Sequence, residues 1–264
     1  MLKLMNVNKT FNKGTINERN ALDHIELHVN PGDFITIIGS NGAGKSTLFN
    51  AICGQFLVDS GQIMLDNRNI TAFSDHQRAF EIGRLMQDPM KGTAPNMTIE
   101  ENLALAFTRK AKRGLFALNK SDRTKFREIL SQLELGLEDR MKTKVGQLSG
   151  GQRQAVTLIM CTIAEPKLLL LDEHTAALDP DTAKKILAIT ERIIERDHLT
   201  AMMITHDIHA ALQLGNRTIM MDDGQIILDV AGEARSALTM DELLSFYSKE
   251  RKKQLANDRM LFTS

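Results

Sequence analysis

The hydrophobic period of this chain changes several times along its length. Near the start, Leu2 and Leu4, then Ile25, Leu27 and Val29, fall at every second position. Such alternation puts apolar side chains on one face of a half-buried strand. Pro31-Gly32 marks a turn, and Phe34-Ile35-Thr36-Ile37-Ile38 is an apolar run suited to a buried strand. Ile63 to Ile70 reads as a further short strand with an Asp66-Asn67 turn. From Asp88 to about Gly146 the pattern turns helical. Thr98 and Glu101 have capping-box spacing ahead of Asn102-Leu103-Ala104-Leu105-Ala106-Phe107. A second helix is predicted over Ser121 to Leu135, its apolar face made by Phe126, Ile129, Leu130 and Leu133. Arg153 to Met160 forms a strong helical pattern ended by Glu165-Pro166. Leu168–Leu171 is then a buried strand, after which Thr182–Arg196, Thr200–Thr205, Ile208–Leu214 and Arg217–Met221 alternate helix and strand. That alternation predicts a parallel sheet with helices on both faces. From about Met240 the tail is helical and charged, with Lys249-Glu250-Arg251-Lys252-Lys253.

Composition narrows the class without deciding it. At 264 residues the chain can bury a full core. Lys+Arg 33 against Asp+Glu 33 leaves no net charge, so no overall basic field draws in nucleic acid or anionic lipid. Arg109-Lys110-Ala111-Lys112-Arg113 is a local basic run and reads as a solvated loop. Cys53 and Cys161 lie in apolar helix-like runs without metal-ligand spacing, as expected of buried thiols in a reducing compartment. The first residues carry no signal-peptide pattern, and no apolar run approaches the roughly 18 residues of a membrane span. The expectation is a cytosolic chain, with any membrane part of its system on another chain.

The candidate chemistry begins at Gly39-Ser40-Asn41-Gly42-Ala43-Gly44-Lys45-Ser46-Thr47. This G-x-x-x-x-G-K-[ST] pattern follows the buried strand and precedes the helical run Leu48-Phe49-Asn50-Ala51-Ile52, the context that gives it meaning. The glycines let backbone N–H groups turn inward around phosphate oxygens, and the helix start adds roughly half a positive charge. Lys45 then reaches β- and γ-phosphates, and the Ser46 hydroxyl is a ligand for Mg²⁺. These residues predict a nucleoside triphosphate site. Leu148-Ser149-Gly150-Gly151-Gln152, ahead of another helix, makes a second anion-binding mouth without a lysine.

Together the two glycine motifs resemble those of the ATP-binding subunits of ABC transporters, and the resemblance runs from about Leu2 to Gly224. It implies a P-loop NTPase (RecA-like) α/β core with a mainly parallel sheet, an antiparallel β subdomain and an inserted α-helical subdomain. On that pattern residues 1–264 form one ABC ATPase domain. Residues 1–87 and 161–240 make the core and β subdomain, 88–160 the helical subdomain, and 241–264 a helical tail. The resemblance also implies that two chains pair head to tail. Each ATP then lies between one chain's phosphate loop and Ser149, Gly151 and Gln152 of the other.

The remaining family elements follow in order. Asp172 and Glu173 close the strand Leu168–Leu171. A carboxylate at that strand end can hold Mg²⁺ through water opposite Ser46, and its neighbour can take a proton from the attacking water. By resemblance His206 is the switch histidine that contacts the γ-phosphate and orders Glu173. Gln87 is the glutamine that senses Mg²⁺ and water. Asp179, in Ala177-Leu178-Asp179, belongs to the loop that crosses the dimer interface, and Phe11 offers its ring to adenine. Two positions depart from the family pattern: His174 replaces a frequent proline, and Phe11 a common tyrosine. Neither removes a catalytic group; His174 tunes the loop before Asp179 or is simply tolerated there.

The leading expectation is the ATP-hydrolysing subunit of a small-molecule importer. Its partners would be a second ATP-binding subunit, integral-membrane permease subunits and, indirectly, an extracytoplasmic binding protein. The phosphate-loop region resembles ATPases of branched-chain amino-acid uptake, and Gln87 to Leu103 a related subgroup with aromatic amino acids among its substrates. Two alternatives stand beside it. An exporter or lipoprotein-extraction ATPase is suggested by Asn12-Lys13-Gly14-Thr15-Ile16-Asn17. A soluble ABC ATPase acting on ribosomes or DNA is disfavoured by the lone nucleotide domain and the zero net charge.

Overall fold

The computed structural model describes residues 1–111, 120–243 and 245–246. The charged stretch Lys249 to Lys253 and the end of the basic run, Lys112-Arg113, lie outside them.

The alternating apolar positions of the first strands build a four-stranded antiparallel sheet. Its strands are β1 (Leu2–Phe11), β2 (Arg19–Val29), β4 (Ser60–Leu65) and β5 (Arg68–Asn69), in the order β2-β1-β4-β5. Asp66 and Asn67, at φ 48° and 61°, make the tight turn between β4 and β5. Phe11 pairs with Arg19 at the loop end of the β1–β2 hairpin.

The second sheet has six strands in the order β10-β9-β3-β8-β7-β6. Here β3 is Phe34–Gly39, β6 Ile82–Leu85, β7 Leu168–Asp172, β8 Thr200–Ile204, β9 Arg217–Asp222 and β10 Gln225–Ala231. All neighbouring pairs are parallel except β9 with β10. The parallel strands are covered on both faces, so side chains of alternating direction are equally apolar. Leu168 and Leu170 face a core shared with the antiparallel sheet and helix α1 (Lys45–Cys53), beside Ile35, Ile37 and Phe49. Leu169 and Leu171 face the opposite core. There they meet α3 (Ile99–Ala111), α4 (Lys120–Ser131), α5 (Gly150–Thr162) and α6 (Pro180–Arg196).

Three smaller helices complete the set of described α-helices: α2 (Asp75–Arg78), α7 (Ile208–Gln213) and α8 (Gly232–Ser236). The capping box at Thr98 is present: Glu101 N donates to Thr98 Oγ1 at 3.2 Å, and Thr98 N to Glu101 Oε2 at 2.7 Å. The helix expected to reach Leu135 stops at Ser131. Glu134 adopts φ 56° and Gly136 φ 65°, so the chain turns back there, and Leu133 is buried from the turn rather than from the helix.

Candidate functional site

Parallel strands end at one edge of their sheet, and the chemistry-bearing residues lie just beyond those ends. Register places Ile37 of β3 and Asp172 of β7 level with Ile204 of β8. The phosphate loop, the paired acids and His206 therefore reach one neighbourhood although they are far apart in sequence.

The loop is shaped by glycine. Gly42 and Gly44 have φ 88° and 97°, and a Cβ at Gly44 would lie 2.5 Å from the Ala21 carbonyl oxygen. Gly44 precedes α1, whose first N–H groups receive no side-chain cap. Such an uncapped start leaves donors free for an anion. The Lys45 ammonium folds back on the loop and donates to the carbonyls of Gly39 and Ser40, at 2.9 Å each. Burial lowers its pKa, while the Glu173 and Asp172 carboxylates act in the opposite direction.

A cavity of about 210 Å³ opens above this loop, lined by Phe11, Arg19, Ala21, Asn41, Gly42, Gly44, Lys45, Ser46, Thr47 and Glu173. Its volume is below the about 300–1,000 Å³ typical of sites that enclose a drug-sized ligand. A larger cavity of about 840 Å³ lies among Glu100, Arg123, Arg127, Arg140 and Lys142. It has no glycine cradle and lies outside the strand-end cluster. Phe11 presents its ring at the cavity rim and packs edge-on against Phe56, centroids 5.3 Å apart. Arg19, which no sequence pattern marks, donates to the Gly42 carbonyl.

The acids and the histidine are tightly arranged. His206 Nε2 lies 2.6 Å from Glu173 Oε1, with side-chain exposures of 46 % and 15 %. Ser46 Oγ and Asp172 Oδ1 are 3.5 Å apart, a hydroxyl and a carboxylate oxygen as a hard cation such as Mg²⁺ prefers. Arg84, also unmarked by any pattern, holds the other oxygen: its Nη2 donates to Asp172 Oδ2 at 2.7 Å.

Several expected residues stand apart from the cavity. Gln87 is exposed two residues beyond β6 and does not line it. Ser149 and Gln152 form a reciprocal capping box at the start of α5, each bond 3.3 Å. Gly151 faces Thr182 of α6. Asp179 caps α6 by accepting from Thr182 N at 3.0 Å. None of Ser149, Gly151, Gln152 or Asp179 lines the phosphate-loop cavity of its own chain.

The ABC transporter family pattern matches residues 22–176, from the β1–β2 hairpin through the paired acids. The chain belongs to the ABC transporter family. Among ABC proteins it is similar to a tyrosine transport ATP-binding protein of Clostridioides difficile, 40 % identical over 92 % of this chain and 97 % of that one. It is also similar to a methionine import ATP-binding protein of Streptococcus agalactiae, 34 % identical over 91 % of this chain and 68 % of that one. An ATP-binding cassette solved as a dimer in a post-hydrolysis state with ADP and Pi superposes with a TM-score of 0.74 at 31 % identity, covering 88 % of this chain and 98 % of its own. The α/β P-loop fold, the binding of ATP and its hydrolysis thus come to this chain with its family.

Proposed function

We propose that this chain is the ATP-hydrolysing subunit of an ABC importer for an amino acid or related small molecule, working as a head-to-tail pair of copies docked on membrane permease subunits. Relatives named for tyrosine transport and methionine import support the direction and the substrate class. The dimeric, product-bound cassette among its structural neighbours supports the pairing. No described helix is long and apolar enough to cross a membrane, which agrees with a chain that reaches the bilayer through a permease. An extracytoplasmic binding protein would deliver the substrate.

The observation that carries the reading is the 2.6 Å contact between His206 and Glu173 at the mouth of the phosphate-loop cavity. In the proposed reaction a water attacks the γ-phosphorus in line. The bond to the β-bridging oxygen breaks, and ADP and phosphate leave. Positioning and charge neutralisation carry most of such a transfer. Backbone N–H groups from Gly42 to Ser46 and the Lys45 ammonium cradle the β- and γ-oxygens. Phe11 stacks on the adenine. Ser46 and Asp172, with Gln87, would hold Mg²⁺, and the ion when bound would supply charge neutralisation for the phosphoryl transfer. Glu173 accepts the proton of the attacking water. His206 donates to the Glu173 carboxylate, fixing which oxygen faces the water. Ser149, Gly151 and Gln152 of the second copy close the cage, and Asp179 lies at the seam.

Glu173→Gln tests the assignment. The variant should bind ATP as the parent does, accumulate as a closed dimer, and turn over about 10²–10⁴-fold more slowly, the usual contribution of a positioned base. Parent-level turnover in the variant would remove Glu173 from the role.

A further inference from the structure

Arg84, the cation paired with Asp172, has no part in the chemistry described so far. Arg84 sits in β6, opposite Leu170 of β7, and its guanidinium spans two other elements. Nη2 donates to Asp172 Oδ2 at 2.7 Å, and Nη1 donates to Asn50 Oδ1 of α1, also at 2.7 Å. Arg84 and Asp172 are only 14 % and 12 % exposed. Arg84 Nε is buried with no hydrogen-bond partner. A largely buried pair with an unsatisfied donor is a poor source of stability, since desolvation offsets much of the attraction. Its position suggests another use.

We infer that Arg84 is a positioning residue for Asp172, clamping Oδ2 so that Oδ1 alone is presented to the cation held with Ser46. The inference rests on the proposed nucleotide site and deepens it. A free carboxylate turns about its last bond and offers either oxygen. The guanidinium fork removes that freedom, because it is itself fixed at its other prong by Asn50. The helix that carries Ser46 and the strand that carries Asp172 are thereby tied through one side chain. Hydrogen bonds to a metal-bound carboxylate typically carry 10–100-fold in metal affinity.

The test compares Arg84→Lys, which keeps the charge and loses the fork, with Asn50→Ala, which frees the other prong. Mn²⁺ binding to the protein–ADP complex, followed by electron paramagnetic resonance, reads the cation directly. ADP affinity in EDTA reads the rest of the site. Arg84→Lys should weaken Mn²⁺ about 10-fold, and Asn50→Ala should weaken it by a smaller factor. ADP affinity in EDTA should stay within about twofold of the parent for each. Parent-like Mn²⁺ binding in Arg84→Lys overturns the inference, as does an equal loss of ADP affinity without metal, which would make Arg84 part of the fold alone. If the parent itself bound no ADP, the nucleotide-site reading would fail instead, and that result is separate from any ratio between variant and parent.

Discussion

Glu173 adopts φ 49°, a left-handed conformation that costs a non-glycine residue about 1–2 kcal/mol. The surrounding bonds hold it there: Glu173 N donates to the Ile204 carbonyl at 3.1 Å, and Ala176 N to the Glu173 carbonyl at 3.0 Å. Its neighbour His174 is buried, and its Nε2 lies 3.2 Å from Thr190 Oγ1. Thr190 spends its own proton on the Ile186 carbonyl, so its oxygen accepts and the imidazole donates from Nε2. The residue left open by its departure from the family pattern is therefore an anchor for the loop after Glu173. Burial pushes the His174 pKa down to about 4 from 6.5. A depressed histidine pKa means that the unfolded chain binds more protons, so stability is complete above about pH 7 and declines as pH falls toward 4. Between pH 7 and pH 5 the loss should be on the order of 2 kcal/mol. Urea unfolding at the two pH values should give a smaller difference for His174→Gln than for the parent; equal differences would contradict the burial argument. At Lys45 the expectation is simpler. Lys45→Ala should weaken ATP about 10–100-fold, the equivalent of about 1.5–3 kcal/mol for hydrogen bonds to a charged group, as read by equilibrium binding.

At the scale of elements, the helix starts separate structure from function. Thr98 and Ser149 each open a helix with a capping box, and the cap is worth about 1 kcal/mol in each case. Only Ser149 is assigned to a partner's nucleotide. Thr98→Ala and Ser149→Ala should lower stability by similar amounts, while ATPase activity falls in Ser149→Ala alone; equal activities would leave Ser149 as a cap. The Thr98 box is legible from sequence because a cap is local, three residues from end to end, whereas at Ser149 the letters read as an anion-binding mouth and the box is seen only in the structure. The phosphate loop and the strand ending in Asp172-Glu173 are legible for the same reason. What is missed depends on distant pairing. Arg78 of α2 donates to the Ala51 and Ile52 carbonyls at 2.7 and 2.9 Å, finishing α1 from a helix that no periodicity marks. Arg19 reaches the phosphate loop only because β1 and β2 pair Phe11 with it. Arg84 is one polar residue in a short strand, with no spacing to announce its partners on α1 and β7. The end of α4 is missed because Leu133 and Leu135 continue the apolar pattern into a turn that Glu134 and Gly136 impose.

For the whole molecule, the parallel sheet sets the placement of the site and the open cavity sets its incompleteness. One edge collects the phosphate loop, Asp172, Glu173 and His206, while the second glycine mouth at Ser149 does not line the cavity there. A chain with both mouths and a cavity of about 210 Å³ holds the pieces of a site without enclosing it. On the proposed pairing, binding that spans two copies would favour the closed pair with ATP and release it with ADP, which is the differential contact that a two-state coupling requires. The most direct measurement is the ATPase rate per chain across a dilution series of the isolated protein at saturating Mg²⁺ and ATP. Sharing of each site predicts that specific activity falls as the protein is diluted, with turnover second order in chain at the dilute end. A specific activity that stays flat on dilution, and survives the loss of Ser149, would contradict it.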